Sequence, residues 1–213
     1  VVVEVQPASE GEVTAVIEPS PGRLILGHNL GLTFVDGKEI SSIAFDLPSG
    51  FSRNDHRARY MAQDRRGDVW IAASNAGLLR VDRDRRITRE LPEASAALAV
   101  TTDAEGLLWV AAPEGLFQEV GQEARREARP SFALRHKPAG IQTTRRLEVF
   151  DDGRILATTE HGLLVFDRSG TWSRLYTSVA EANRMTALLD RPPDEVWVGT
   201  AEGIYTLRDG RLA

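Results

Sequence analysis

The chain has 213 residues, a formal net charge of −5 and no cysteine. Its 42% hydrophobic and 27% charged residues are typical of a folded globular domain and argue against a disordered chain. Without cysteine, disulfides, thiolate zinc sites, iron–sulfur clusters and cysteine nucleophiles are excluded. The acidic balance argues against a dedicated nucleic-acid-binding protein, and no apolar run approaches the roughly 18 residues of a membrane helix. We therefore expect neither nucleic-acid binding nor direct membrane insertion.

Five segments of the chain resemble one another and define a repeat. Each begins with a turn, continues with a short apolar strand that ends in small residues, and resumes after a glycine with another strand. The apolar anchor of the first of these two strands recurs every 39 to 47 residues. The anchors are Ile25, Trp70, Trp109, Leu156 and Trp197, and the matching glycines are Gly31, Gly77, Gly115, Gly162 and Gly203. A period of this length indicates a repeat architecture.

Each repeat is predicted to consist of four short strands. The runs VWIAA, LWVAA and VWVGT are rich in β-branched and aromatic residues, and an apolar segment precedes each of them. Acidic turns such as Asp64–Gly67 and Asp103–Gly106 suit hairpins between these two strands. Further turns, such as Asp209-Gly210, follow the third strand. Four antiparallel strands per repeat predict an all-β fold, a β-propeller with five four-stranded blades.

A single propeller domain is expected to cover residues 1–213. The predicted repeats span about residues 12–56, 57–96, 97–143, 144–183 and 184–213. The last repeat has little sequence left for a fourth strand, whereas VVVEVQ at residues 1–6 has no repeat around it. We therefore expect residues 1–6 to complete the fifth blade and close the ring, which would remove an open sheet edge. The alternative is a piece of a larger propeller.

One sequence pattern extends the interpretation to a family. The pattern Asp-x-x-Gly-x-[VL]-Trp-[IV]-[AG], followed by Gly-[LI]-x-x-[VL]-Asp, resembles the two-component regulator propeller repeat. GDVWIAASNAGLLRVD at 67–82 and EVWVGTAEGIYTL at 195–207 match it best, whereas Ile25 and Leu156 replace the tryptophan in repeats one and four. The resemblance implies a sensor region of a bacterial hybrid histidine kinase, acting in signal transduction. It also implies a periplasmic or extracellular location, although the residues themselves leave a cytoplasmic one open.

Propeller topology predicts where a ligand would bind. The loop that enters the first strand of each blade and the loop between its second and third strands lie on one face, which we call face X. The mouth of the central channel opens on face X. The forked N–H donors of arginine side chains there suit carboxylates or phosphates, so we expect a small anionic or sugar-like ligand. The candidate residues are His28, Asn29, Arg59, Asn75, Glu114, Arg145, Glu160, His161, Arg184 and Glu202. The alternative is an ordinary polar surface, because loop tips are polar in any propeller.

A second candidate surface is the basic segment 125–146, which has seven basic residues and one acidic residue. It is predicted to dock an acidic protein partner, or else to form a solvated edge that protects the sheet. The partner-binding candidates are Arg125, Arg126, Arg129, Arg135 and Lys137. The recurring tryptophans, in contrast, are expected to pack between the blades.

The sequence favours a function without catalysis. It contains no GxSxG, HExxH or phosphate-loop motif, and its four histidines have no metal-ligand spacing, so we expect no catalytic residue, metal or cofactor. The favoured hypothesis is a ligand-sensing or protein-interaction module. One alternative is a propeller enzyme of the lyase or lactonase type, with a metal or with His28 or His161 at the channel mouth. Another is a scaffold subunit that docks a partner through segment 125–146. The oligomeric state is not predicted.

Overall fold

The structure, a computed structural model, describes residues 12–29, 31–45, 58–73, 76–91, 94–120, 130–150, 152–167, 171–177, 184–191 and 195–213. These residues form five four-stranded sheets in which the strands are antiparallel and follow one another in chain order. Apart from the strands, the described elements include a short 3₁₀ turn at Ile141–Thr143. The predicted all-β propeller with five four-stranded blades is confirmed.

The strands of the five blades have the following bounds. Blade 1 contains β1 (Val13–Ser20), β2 (Arg23–His28), β3 (Gly31–Asp36) and β4 (Glu39–Ala44). Blade 2 contains β5 (Ala58–Gln63), β6 (Val69–Ala73), β7 (Gly77–Val81) and β8 (Ile87–Glu90). Blade 3 contains β9 (Ala99–Thr102), β10 (Leu108–Ala112), β11 (Gly115–Glu119) and β12 (Phe132–His136). Blade 4 contains β13 (Arg146–Val149), β14 (Ile155–Thr159), β15 (Gly162–Phe166) and β16 (Trp172–Leu175). Blade 5 contains β17 (Met185–Arg191), β18 (Glu195–Thr200), β19 (Ile204–Arg208) and β20 (Arg211–Leu212).

An aspartate in the turn between the first two strands fixes the anchor tryptophan of blade 2. One carboxylate oxygen of Asp64 accepts hydrogen bonds from the backbone N–H groups of Arg66 (2.8 Å) and Asp68 (3.0 Å). The other oxygen accepts a hydrogen bond from the indole Nε1 of Trp70 at 2.9 Å. A single carboxylate therefore closes the hairpin turn and holds the side chain that fills the core.

Blade 3 repeats this arrangement. Asp103 accepts a hydrogen bond from the backbone N–H of Leu107 at 2.8 Å and another from the indole Nε1 of Trp109 at 2.9 Å. Because the aspartate precedes the tryptophan by six residues in both blades, the same local geometry recurs with the repeat.

The described residues of the core form four apolar clusters, each between two consecutive blades. Ile25 and Ile71 belong to the cluster between blades 1 and 2, and Leu156 and Val198 belong to the one between blades 4 and 5. Trp70 is 1% exposed and packs in the cluster between blades 2 and 3. The predicted packing role of this tryptophan is confirmed.

The two end blades expose apolar side chains on the sheet faces that point away from these clusters. Val16 in blade 1 is 62% exposed, and Ile204 in blade 5 is 68% exposed. Within the described ranges, no apolar cluster joins blade 5 to blade 1.

The fourth strand of blade 5 comes from the carboxyl end of the chain. β20 pairs with β19, and Thr206 and Ala213 exchange two backbone hydrogen bonds of 2.8 and 3.0 Å beyond it. Both Asp209 and Gly210 have positive φ, as a two-residue type I′ hairpin requires. This position is thus taken by β20 rather than by the amino-terminal VVVEVQ expected there. Residues 1–6 themselves lie outside the described residues.

Candidate functional site

The predicted mouth lies where the first strand of each blade begins and the second strand ends. The register brings these ends together, since Ala58 pairs with Ala73 and Arg146 pairs with Thr158. The first strands also adjoin one another around the axis: β1 contacts β5, β5 contacts β9, β9 contacts β13 and β13 contacts β17. The loops that carry the candidate residues therefore share face X. We call the opposite end, where the first strand turns into the second, face Y.

Blades 3 and 4 contribute a charged group of side chains to face X. This group, the blade 3–4 rim, comprises Ser95, Glu114, Lys137, Arg145 and Glu160. Glu114 accepts a hydrogen bond from the backbone N–H of Ser95 at 3.1 Å. Burial alone would raise the pKa of Glu114, but the hydrogen bonds from Ser95 and the charge of Lys137 outweigh it and hold the pKa below its usual value. Glu114 is therefore a carboxylate at neutral pH.

The second half of the rim is an ion pair between two face X loops. Arg145 Nη2 lies 2.5 Å from Glu160 Oε1, and both side chains are partly exposed. The backbone N–H of Glu160 donates to Thr143 Oγ1 at 3.3 Å, which ties this loop to the 3₁₀ turn before β13. Two buried rim atoms, Glu114 Oε2 and Arg145 Nε, have no hydrogen-bond partner within the described structure.

His28 differs from the expectation of a rim residue. It is fully buried at the end of β2, where its Nε2 forms a 2.8 Å hydrogen bond with Thr33 Oγ1. Thr33 Oγ1 lies in turn 2.9 Å from Ser42 Oγ. Because His28 belongs to the strand itself and not to the following loop, its side chain is enclosed within blade 1. Burial lowers its pKa, so the imidazole is neutral in the folded chain.

Stability is expected to fall when the pH is lowered below about 6.5. The unfolded chain takes up protons near this pH, whereas burial lowers the pKa of His28 and, together with the charge of Arg135, that of His136 in the folded chain. The urea midpoint should therefore decrease between pH 7 and pH 5, and the decrease should be smaller in the double variant His28→Gln with His136→Gln. An unchanged pH dependence in that variant would contradict the assignment.

The other candidate residues of the predicted mouth are less closely connected to neighbouring loops by the described contacts. His161, Arg184 and Glu202 are exposed, and the backbone N–H groups of His161 and Glu202 donate to the threonines two residues earlier. Asn29 is partly buried. Asn75 and the side chain of Arg59 lie outside the described residues. Of the ten candidates, Glu114, Arg145 and Glu160 are thus the ones that the described contacts connect to neighbouring loops.

The basic segment 125–146 is distributed over different surroundings. Arg125, Arg126 and Arg129 lie outside the described residues. Arg135 is exposed on β12 and donates to Gln118 Oε1 at 2.9 Å, whereas Lys137 belongs to the blade 3–4 rim. Arg146 pairs with Glu148 and lies over the ring of Tyr60, 5.4 Å from its centroid.

Three cavities lined by described residues lie at the face Y turns, opposite the predicted mouth. The cavity with the largest number of lining residues has a volume of about 350 Å³ and opens on face Y between blades 1 and 2. Arg83 and Arg85 from one turn of blade 2 line it together with Arg23 of blade 1. The run Asp82-Arg-Asp-Arg-Arg86 carries part of the signal for this site in the sequence, but no site is predicted there.

Among the described residues, no group of three or more histidine, aspartate or glutamate side chains is placed to hold a metal ion. Nor does this part of the chain contain a helix of the length and apolar character needed to cross a membrane.

Comparison with solved structures defines the class of fold. The extracellular domain of the putative hybrid two-component system BT3049 from Bacteroides thetaiotaomicron superposes with a TM-score of 0.70 at 17% identity, over 98% of this chain and 29% of that one. Virginiamycin B lyase from Staphylococcus aureus superposes with a TM-score of 0.78 at 14% identity, over 98% of this chain and 71% of the lyase. YCF48 in complex with the D1 peptide superposes with a TM-score of 0.71 at 12% identity, over 98% and 70% of the two chains.

These similarities concern the fold. The chain is a β-propeller, and the predicted resemblance to the extracellular propellers of hybrid two-component systems is confirmed at the level of the fold. It spans about three tenths of the length of the BT3049 domain. Both sensor domains and a propeller lyase are among the similar structures, and the low identities do not decide between them. No family model matches the chain, and no curated protein matches its sequence.

Proposed function

We propose that this chain is a non-catalytic recognition propeller, acting outside the cytoplasm in the sensor region of a bacterial signalling protein. Its ligand would be a small anionic or sugar-like molecule, bound at the blade 3–4 rim. The observation that carries the proposal is the pair of buried rim atoms without hydrogen bonds, Glu114 Oε2 and Arg145 Nε. Buried polar atoms in folded proteins are nearly always hydrogen-bonded, so such atoms at a loop-lined mouth favour a ligand that completes them.

The two rim atoms also specify the chemistry of the ligand. Glu114 is a carboxylate whose free oxygen accepts a hydrogen bond, while the free Nε of Arg145 donates one. A ligand that offers both a hydroxyl donor and a carboxylate acceptor satisfies both. Sugar acids have these two groups, and we therefore favour them over neutral sugars.

Location outside the cytoplasm is supported by the resemblance to extracellular domains of two hybrid two-component systems. The same resemblance, in fold and in repeat pattern, supports a role in signal transduction.

The enzyme alternative is favoured by the fold similarity to virginiamycin B lyase. His161 is the exposed histidine at the predicted mouth, whereas His28 is enclosed in blade 1. Hydrolysis of gluconolactone, or cleavage of virginiamycin B, that is lost in the His161→Ala variant would establish catalysis and overturn the proposal.

Thermal unfolding tests the proposed ligand class. Glucuronate at about 100 times its dissociation constant should add roughly 2.7 kcal/mol and raise the midpoint by about 5–10 °C. Glucose, which lacks the carboxylate, should raise it less. The Arg145→Gln variant should lose the glucuronate shift because it removes the charged donor of the rim.

Arg154 provides the matched control for Arg145. It is also a partly exposed arginine of blade 4 with a carboxylate neighbour, Asp152 at 2.5 Å, but it lies in the face Y turn before β14. The Arg154→Gln variant should keep the glucuronate shift. A shift that survives in Arg145→Gln, or that disappears equally in both variants, would contradict a site at the rim. The scaffold alternative predicts partner binding that is lost in Arg135→Glu with Lys137→Glu.

A further inference from the structure

Two face Y turns of blade 2 are rich in arginine. The turn at residues 64–67 contains Arg65 and Arg66, and the turn at residues 82–86 contains Arg83, Arg85 and Arg86. The equivalent first turn of blade 3, at residues 103–106, has no basic residue. The two turns together contain five arginines and three aspartates, so they are positively charged in a chain with a net charge of −5.

The turn at residues 82–86 lines a cavity of about 350 Å³ between blades 1 and 2, which we call the blade 1–2 pocket. Arg65 and Arg66 line a separate cavity on the side of blade 3. Its wall includes apolar side chains of both blades, among them Ile25, Phe34 and Val69. Its rim carries Arg23 from blade 1 together with Arg83 from blade 2. The volume falls within the range of small-molecule sites, which combine an apolar wall with a few placed polar groups.

The arginines of the pocket are held in position by the surrounding blades. Arg85 donates to Ser41 Oγ at 2.7 Å, and its guanidinium lies 5.0 Å from the centroid of the Phe34 ring. Its φ of +64° is a backbone conformation that residues other than glycine rarely adopt. Asp36 is shared between two guanidiniums, lying 3.1 Å from Arg23 and 3.9 Å from Arg85. The pocket is therefore built from side chains of two blades that fix one another.

The charges of the pocket do not cancel. Three guanidiniums line it, those of Arg23, Arg83 and Arg85, against the two carboxylates of Asp36 and Asp82. Asp82 uses Oδ1 to accept backbone hydrogen bonds of its own turn at 2.9 Å. Arg83 donates to the carbonyl oxygen of Arg66, and no carboxylate among the described residues forms an ion pair with it.

We propose that the blade 1–2 pocket binds a small organic anion, with its carboxylate on Arg23 and Arg83 and its apolar body against Phe34 and its neighbours. Guanidinium groups match a carboxylate with paired N–H donors, which a lysine does not offer. The pocket lies on face Y and shares no residue with the blade 3–4 rim. This inference therefore stands independently of the function proposed for face X.

Calorimetric titration with 3-phenylpropionate tests the proposal, because this molecule combines one carboxylate with an apolar body. The intact chain should bind it, and the double variant Arg23→Gln with Arg83→Gln should bind at least tenfold more weakly. The variant Arg23→Lys with Arg83→Lys keeps the charges but loses the forked donors, and its affinity should also fall. If the glutamine variant does not fold, this lysine variant decides the question.

Two single variants serve as controls. Arg154→Gln makes one of the same Arg→Gln changes in a face Y turn of blade 4 and should leave the affinity unchanged. Arg145→Gln alters the blade 3–4 rim and should also have no effect. The proposal would be overturned by the absence of binding at millimolar concentration, by unchanged affinity in both double variants, or by an equal loss in either control.

Discussion

Replacing Asp64 with alanine is expected to lower the free energy of unfolding by about 3–5 kcal/mol, because three donors then lose one buried charged acceptor. These donors are the backbone N–H groups of Arg66 and Asp68 and the indole of Trp70, all within 3.0 Å. In a chain of this length the thermal midpoint should fall by roughly 10–15 °C. Urea unfolding followed by tryptophan fluorescence measures the change directly.

Asp152 is the matched control, since it caps the corresponding turn of blade 4 with a 2.9 Å bond to the backbone N–H of Arg154. Its side chain is 47% exposed, so water can replace the lost contacts, and Asp152→Ala should cost about 1 kcal/mol or less. Combining Asp64→Ala with Trp70→Phe should cost less than the sum of the single changes, because both remove the same hydrogen bond. Equal losses at Asp64 and Asp152 would refute the buried-acceptor argument.

Replacing Gly31 with alanine is expected to destabilise blade 1 by about 3 kcal/mol. A β-carbon at this position would lie 2.1 Å from the carbonyl oxygen of Ile43 and 2.9 Å from the Cα of Ala44. Both atoms belong to the backbone of the neighbouring strand β4, so relief requires the strands to separate. Chemical denaturation of the variant, read through the urea midpoint, provides the measurement.

Gly22 in the same blade separates steric crowding from backbone strain. Its φ is +80°, but a β-carbon there would meet nothing within 4 Å. Gly22→Ala should therefore cost only about 1 kcal/mol, the penalty of a left-handed conformation. If Gly31→Ala proved as mild as Gly22→Ala, the close approach of β3 and β4 would not constrain the blade.

The repeat explains why the fold could be predicted from sequence. The anchor occupies the same strand position in every blade: Ile25, Trp70 and Leu156 are buried, and Trp109 and Trp197 are partly buried. Five weak sequence signals therefore add up to one strong pattern. The glycines that follow the anchors meet different backbone requirements in different blades. Gly77 has a positive φ, whereas Gly31 is required by the close approach of β4 instead.

Other features depend on contacts that no single repeat reveals. The Asp64–Trp70 hydrogen bond joins a turn residue to a core residue, and we had assigned them separate roles. The enclosure of His28 follows from where β2 ends, and element boundaries are the least certain part of a sequence interpretation. The two-residue strand β20 was missed because so short a segment carries almost no periodicity.

The candidate site was predictable only in part for a similar reason. Topology placed Glu114, Arg145 and Glu160 on one face, because loops of one class share an end of the propeller. It did not indicate which of them would interact, since the Arg145–Glu160 pair depends on the path of the loop before β13. The blade 1–2 pocket was missed because its arginines come from one turn of blade 2 and from the neighbouring blade 1, and only the packed structure brings them together.

The arrangement of five blades around four apolar clusters has a consequence for how the chain loses its structure. In an array of repeats, each unit is stabilised by the apolar surface that it shares with its neighbours. Among the described residues, blades 2, 3 and 4 each contribute to two of these clusters, whereas blades 1 and 5 each contribute to one. The blade 3–4 rim is therefore carried by blades that are held by two described clusters, whereas the blade 1–2 pocket takes half of its wall from blade 1, which is held by one. Partial opening of blade 1 would dismantle the pocket and leave the rim intact.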